Sequence, residues 1–176
     1  IYKLYIKNMS KGGVNNFHLL SDKWVLFAHL PHDTNWSLNS YKKIQTFESV
    51  EDVLDVYNIL SDKLIKNCML FLMKEGINPT WEDKNNRNGG CFSFKIETKI
   101  ITQVWNEISF LLLGSTLSKD ENMLKHINGI TISPKKSFNI LKIWLKDCSY
   151  QNPNLIIDIN GINKKGCLFR RHNIKY

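Results

Sequence analysis

The stretch from Gly76 to Gly90, GINPTWEDKNNRNGG, is a long polar loop that carries a tryptophan beside a carboxylate. Glycine, asparagine and proline at its start are turn-forming residues, and Gly89-Gly90 closes it before a new apolar run. A loop offers little core in which to bury an indole. Trp81 is therefore expected either to fold back as an anchor of the loop or to stack on a flat ligand, and this stretch alone leaves both interpretations open.

Glu82, next to that tryptophan, indicates which flat ligand would fit. A carboxylate accepts two parallel N–H hydrogen bonds through its two oxygens. The Watson–Crick edge of guanine presents two such donors, the N1–H group and the N2 amino group. An indole beside a carboxylate therefore suits guanine, while the alternative is a solvated surface glutamate.

Charge and composition point to an anionic partner for a globular protein. The chain has 176 residues, a formal net charge of +8, and ordinary fractions of hydrophobic and charged residues, 43% and 23%. This balance favours nucleic acid as the partner, and the dispersed positive charge favours a local phosphate site. We expect a polar N-terminal arm over residues 1–16 and a single domain over residues 17–176.

Several classes of protein are disfavoured. Four cysteines without a Cys-x-x-Cys pair predict free thiols and a cytoplasmic location, and no apolar run is long enough to suggest a membrane partner. P-loop and Gly-x-Ser-x-Gly motifs are missing, and adjacent Glu82 and Asp83 would point apart on an extended loop. His29 and His32 have no third ligand nearby in the sequence. We expect no enzymatic activity, metal or cofactor.

Hydrophobic periodicity predicts an α+β domain with an antiparallel sheet and helices on one face. Ser49 and Asp52 resemble a capping box at the start of a first helix, whose apolar stripe runs from Val53 to Leu64. A second helix is predicted over Ile100–Leu113, ended by Gly114. The predicted strands are Lys23–Leu30, Lys42–Phe47, Met69–Lys74, Cys91–Glu97, Gly129–Ser133, Phe138–Leu145 and Leu155–Ile159.

The tryptophans divide into structural and exposed candidates. Trp24 begins a predicted strand and Trp105 lies on the core stripe of a predicted helix, so both are expected in the core. Trp36 and Trp81 both fall in loops, where two indoles could clamp one ring from both faces. Stacking contributes about 1–3 kcal/mol per base. A cationic ring such as N7-methylguanine gains more through cation–π attraction.

Together these motifs resemble the initiation factor 4E family, the messenger-RNA cap-binding factors of eukaryotic translation. The resemblance runs from about His18 to Leu145. It rests on Asn35-Trp36-Ser37-Leu38, on Val50-Glu51-Asp52 with Tyr57-Asn58, on Gly76 to Asp83 with Gly89-Gly90, and on Trp105 with Leu113-Gly114. It implies a curved antiparallel sheet with helices on its convex face and a cap slot on its concave face. The family helix that follows Leu145 is expected to be lost or reduced to a turn.

The resemblance also implies a binding site for the 7-methylguanosine cap. Trp36 and Trp81 would sandwich the base, Glu82 would pair with its N1–H and N2–H groups, and Trp144 would lie against the N7-methyl group. A phosphate contact is implied for Lys135, at a family arginine position, and Lys142 is a further candidate, while Lys164 and Lys165 would close over the second nucleotide. Lys142 shares strand parity with the family's lysine position, which is Ile140 here, and a solvated surface lysine is the alternative. Cys91 stands where the family has an arginine, which puts one phosphate contact in doubt.

On the convex face the resemblance implies a docking site for an amphipathic helix of a scaffold or repressor protein. The matching positions are His18, Leu19, Val50, Leu54, Asn106, Glu107 and Phe110. Leu54 replaces a family tryptophan, so we expect an altered partner or weaker binding of an ordinary scaffold peptide. The predicted function is cap binding that promotes initiation by recruiting a scaffold. The alternatives are a cap-binding repressor or decoy, and, less favoured, a hydrolase of caps or nucleotides.

Overall fold

The computed structural model describes residues 17–172, so the predicted arm over residues 1–16 lies outside the described residues. Seven strands form one antiparallel sheet in the order β2-β1-β3-β5-β6-β4-β7. They are β1 (Leu19–His29), β2 (Tyr41–Ser49), β3 (Met69–Lys74), β4 (Gly90–Glu97), β5 (Ile127–Pro134), β6 (Phe138–Leu145) and β7 (Leu168–Arg171). The α-helices are α1 (Val50–Ile59), α2 (Asp62–Asn67), α3 (Ile101–Leu113) and α4 (Glu121–Leu124). No helix between residues 17 and 172 is both long and apolar enough to cross a membrane.

The two faces of the sheet differ in what covers them. On β1, Trp24, Leu26 and Ala28 join the main core with the buried faces of α1 and α3, including the fully buried Trp105. The alternate face carries only a small cluster around Phe71, Met73 and Trp144. Because strand side chains alternate with a period of two, one face is sealed by helices while the other is left open. The predicted curved antiparallel sheet with helices on one face is confirmed.

The first helix ends before the apolar stripe that was predicted to lie on it, which runs to Leu64. Its start is as expected, since Ser49 and Asp52 form a reciprocal capping box. It ends at Ile59, however, because Leu60 is extended and the Ser61 hydroxyl accepts a hydrogen bond from the Leu64 backbone to begin α2. The prediction of one stripe in one helix was therefore wrong. A serine cap competed with continuation of the helix and turned the chain at this point.

The predicted strand over Leu155–Ile159 was also wrong. This segment contains a 3₁₀ turn over Pro153–Leu155 and a single β-bridge from Ser118 to Ile156. Its apolar side chains lie on the main core instead of in the sheet, and the edge beside β4 is occupied by β7. Four of its five residues are apolar, and such a run suits a strand as well as a loop that packs on the core. The expected loss of a long helix after Leu145 agrees with the fold, because the described residues 146–152 contain no helix.

Gly161 shows how closely this C-terminal segment crosses α3. Its φ is +89°, and an added Cβ would lie 2.5 Å from Ile100 Cδ1 and 3.1 Å from Val104 Cγ2. A residue with a Cβ is therefore disfavoured both by the left-handed backbone and by contact with the core.

We predict that Gly161→Ala lowers the free energy of unfolding by about 1–3 kcal/mol or more, because left-handed strain and the Ile100 contact add. Two glycines serve as matched controls: Gly76 has φ +79° in open space, and Gly166 has neither positive φ nor a close neighbour. Urea unfolding should rank the losses Gly161→Ala, then Gly76→Ala, then Gly166→Ala. Equal midpoints for the three variants would contradict this account.

Candidate functional site

The strand registers place a row of polar and aromatic side chains across the open face. Trp144 on β6 lies opposite Gly129 on β5 and Cys91 on β4, and Cys91 in turn pairs with Arg170 on β7. Lys142, two residues before Trp144, lies opposite Thr131 and Ser93. Directly opposed residues share a face, so a lysine and an arginine flank the Trp144 indole on the side away from the helices.

Trp36 lies at one end of this face and rests on His29. The two rings are stacked with centroids 4.1 Å apart and planes 5° apart. His29 is only 2% exposed, whereas Trp36 is 56% exposed. Tyr41 contacts His29 edge-on at 5.3 Å. One face of the indole is therefore supported from below while much of its surface remains accessible to a ligand.

The Trp81 loop is held by buried side-chain amides. Asn86 is fully buried, and its amide nitrogen donates hydrogen bonds to the Asn78 carbonyl at 3.0 Å and the Thr80 carbonyl at 2.8 Å. The Asn128 amide on β5 donates to the Asn85 carbonyl and to the Asn86 side-chain oxygen. Because Thr80 precedes Trp81, these bonds fix the backbone from which the 48% exposed indole projects.

Asp83 has a structural task in the same loop. Its two oxygens accept hydrogen bonds from the backbone and side-chain N–H groups of Asn78 and Asn85. Burial alone would raise the pKa of this carboxyl, but the hydrogen bonds hold it below the ordinary value. Asp83 therefore shapes the turn, and the neighbouring Glu82 is exposed.

Electrostatics link the two tryptophan loops. Burial raises the pKa of the Tyr41 hydroxyl, and the nearby charge of Glu82 raises it further. Tyr41 in turn packs against His29, the ring beneath Trp36. The charge of Glu82, beside Trp81, therefore acts on the tyrosine that packs against the ring beneath Trp36.

Trp144 lies deeper, in contact with a histidine from the end of the sheet. Its indole is 4.6 Å from the His172 ring, and His172 Nδ1 lies 2.9 Å from the Asn86 carbonyl. Burial lowers the pKa of His172, the Asn86 carbonyl partly offsets this, and the charge of Lys142 lowers it further. Trp144 Nε1, His172 Nε2 and Thr131 Oγ1 are buried without a hydrogen-bond partner among residues 17–172. Buried polar groups without a protein partner are available to form hydrogen bonds with a bound ligand.

The remaining candidate lysines lie apart from this cluster. Lys135 is exposed in the turn between β5 and β6. Lys164 is largely buried and directs its ammonium group to the Ile156 carbonyl and to the Asp158 carboxylate, 2.7 Å away. Lys165 is exposed in the same short turn. The structure therefore groups Lys142 with Trp144, whereas Lys164 is engaged within the segment that packs on the main core.

The predicted partner residues lie at or just before the start of β1, on α1 and on α3. His18 accepts a hydrogen bond from the Val50 backbone through its carbonyl, and its ring and backbone N–H contact Glu51. Phe110 on α3 packs against Tyr57 on α1 at 5.1 Å and remains 37% exposed. Leu19 is exposed, and four further candidates are partly buried: Val50, Leu54, Asn106 and Glu107.

Sequence reasoning missed His29, Asn86, Asn128 and His172. In the sequence His29 stands beside His32 as a weak metal-ligand pair, but its strand parity with Phe27 predicts that it lies on the open face. Asn86 and Asn128 are ordinary polar residues in sequence, and 42 positions separate them. Nothing local predicts that their amides meet.

Comparison with known proteins identifies the family. A model described as eukaryotic initiation factor 4E matches residues 19–176. The Candida albicans initiation factor 4E is 34% identical over 149 residues, which cover 79% of this chain and 69% of that protein. A mimivirus 4E homolog is 29% identical over 135 residues, covering 65% of this chain and 50% of its own length.

A solved structure agrees with these sequence matches. A schistosome initiation factor 4E, in complex with m7GpppG and 4E-BP, has a TM-score of 0.69 and 25% identity, and the match covers 77% of this chain and 75% of that one. Because the family model spans most of the chain and a relative exceeds 30% identity, the conclusion does not depend on the fold alone. The chain belongs to the eukaryotic initiation factor 4E family.

Proposed function

We propose that this protein binds the 7-methylguanosine cap of messenger RNA and acts in translation initiation in the cytoplasm. The observation that carries the proposal is an accessible indole, Trp36, stacked on a buried ring of the open face, together with a second accessible loop indole, Trp81, next to the exposed Glu82 carboxylate. Membership of an initiation-factor family favours binding of the cap over its hydrolysis. A schistosome relative solved with m7GpppG and 4E-BP lends further support.

In this proposal the base lies between two indoles. Trp36, supported by His29, covers one side of the methylated ring, and Trp81 covers the other. The positive charge of N7-methylguanine is attracted to the π-faces of both indoles. An uncharged guanine lacks this attraction. Glu82 accepts hydrogen bonds from N1–H and N2–H, and Trp144 lies against the methyl group.

Lys142 and Trp144 are the proposed start of the phosphate path. Lys142 shares a strand face with Trp144. The Nε1 atom of Trp144 and the Nε2 atom of His172 are buried without a hydrogen-bond partner among the described residues. Arg170 pairs with Cys91 across β4 and β7, so it can supply the cation that the family places at position 91. Lys135 extends the path, and Lys165 remains a candidate for the second nucleotide.

On the convex side we propose that the surface from Leu19 and Val50 to Phe110 docks an amphipathic helix of a scaffold protein. A translational repressor or decoy is the second candidate, and one observation favours it. Leu54 is a partly buried leucine where an aromatic residue would offer more contact area and an N–H donor. Weak scaffold binding with intact cap binding would produce a decoy.

The sandwich predicts selectivity for the methylated base. We expect 7-methyl-GTP to bind far more tightly than GTP, and Trp36→Ala or Trp81→Ala each to cost about 1–3 kcal/mol. Leu38→Ala, an exposed residue in the Trp36 loop, is the matched control and should change little. Isothermal titration with both nucleotides measures this. Equal affinity for GTP and 7-methyl-GTP would refute the proposed function.

The negative charge of Glu82 should strengthen the hydrogen bonds by which it recognises guanine. We predict that Glu82→Gln weakens 7-methyl-GTP binding by about 1–3 kcal/mol, because an amide cannot accept both N–H bonds with the strength of a carboxylate. Glu75→Gln, an exposed glutamate just after β3, is the control. Thermal melts should show both variants folded. If Glu82→Gln binds as tightly as the unaltered protein, Glu82 does not contact the base.

The partner surface is tested with a Tyr-x-x-x-x-Leu peptide. We expect Leu54→Trp to strengthen peptide binding, because it restores aromatic contact area, and Phe110→Ala to weaken it. Ile59→Ala serves as the control, since Ile59 is exposed on α1 and was not assigned to the docking site. Titration measures all three affinities. If the peptide affinity is unchanged in both Leu54→Trp and Phe110→Ala, this surface is not the docking site, and the decoy alternative is strengthened.

A further inference from the structure

We propose that His29 is a positioning residue for ligand stacking: its buried ring and its N–H group together hold the Trp36 indole flat and ready to receive the base. This inference rests on the proposed cap-binding function. It assigns to His29 a role that neither the sequence motifs nor the strand pattern indicated.

The first contact is the stack of the Trp36 indole on the His29 ring. The His29 and Trp36 rings are nearly parallel and stacked, with ring centroids 4.1 Å apart and planes 5° apart. His29 is itself immobilised, because Tyr41 packs edge-on against it at 5.3 Å and Phe71 packs against Tyr41 at 5.2 Å. An exposed loop indole thus rests on a buried aromatic group, so its orientation is set by the sheet.

The second contact is a hydrogen bond between His29 and the backbone of Asn35. His29 Nε2 lies 2.9 Å from the Asn35 carbonyl, which can only accept, so Nε2 must donate. Asn35 is also held by its neighbours in the loop. The Asp33 carboxylate accepts a hydrogen bond from the Asn35 N–H, and the Asn35 side-chain oxygen accepts one from the Ser37 N–H. The His29 bond therefore ties the backbone next to Trp36 to the end of β1.

The two contacts have one consequence for binding. An indole that is already oriented in the free protein loses little conformational freedom when the base stacks on it. Without the platform, only a fraction of molecules would hold Trp36 in the receiving position, and the apparent affinity would fall by that fraction. We expect a loss of about threefold to tenfold when both contacts are removed.

Three substitutions separate the contacts. His29→Phe keeps an aromatic platform and loses the donor, His29→Gln keeps a donor and loses the ring, and His29→Leu loses both while it keeps a buried apolar side chain. We expect the 7-methyl-GTP affinity to fall most in His29→Leu and to be partly restored in His29→Phe. Thermal melts identify any variant that fails to fold, and the milder variants then carry the test.

A double-mutant cycle distinguishes positioning from general stability. Each His29 variant is combined with Trp36→Ala, and 7-methyl-GTP affinity is measured by titration. If His29 acts through Trp36, its substitution has no further effect once the indole is removed. An equal loss of affinity in both backgrounds would overturn the proposal, as would unchanged affinity in His29→Leu.

A measurement on the ligand-free protein separates this inference from the cap-binding function. The Trp36 indole N–H signal, assigned by its loss in Trp36→Phe, reports ring order by ¹⁵N relaxation. We expect order to fall in His29→Leu and to be retained in His29→Phe; unchanged order would overturn the proposal. If the unaltered protein fails to bind 7-methyl-GTP, cap binding is refuted, and the role of His29 in ligand binding is refuted with it.

Discussion

Burial of one face of the seven-stranded sheet beneath α1 and α3 is the constraint on which the rest of the molecule depends. Since strand side chains alternate, sealing one face commits the other residues of each strand to the open side. On β6 this separates the core residues Leu141, Ile143 and Leu145 from Lys142 and Trp144. The open face is therefore the complement of the core.

Exposed indoles on that open face need support that a hydrophobic core would otherwise supply. For Trp36 the support is the His29 ring and its bond to the Asn35 carbonyl. For Trp81 it is the buried Asn86 amide, bonded to the Thr80 carbonyl. In both loops a side chain fixes the backbone beside the tryptophan, and the indole itself remains accessible. This arrangement allows stacking residues to be rigid and exposed together.

The positive charge of the chain is distributed according to the same division. Lys142 lies beside Trp144 on the open face, where burial lowers the pKa of His172 and the charge of Lys142 lowers it further. Lys164 instead neutralises Asp158 in the segment that packs over the core. Two lysines of similar appearance in sequence thus have different surroundings. Net charge indicates the class of partner, but only the fold decides which cations a ligand can reach.

The sequence by itself determined the α+β class, six of the strands, the Ser49 capping box and the loop position of Trp36, Trp81 and Glu82, because these depend on local periodicity and turn chemistry. It misassigned the segment Leu155–Ile159, whose run of apolar residues suits a strand or a core-packed loop equally. Only the tertiary structure brought His29 beneath Trp36, Asn128 to Asn86 and His172 to Trp144. These contacts join residues from different strands and loops, and no local pattern encodes which distant side chains the folded sheet will bring together.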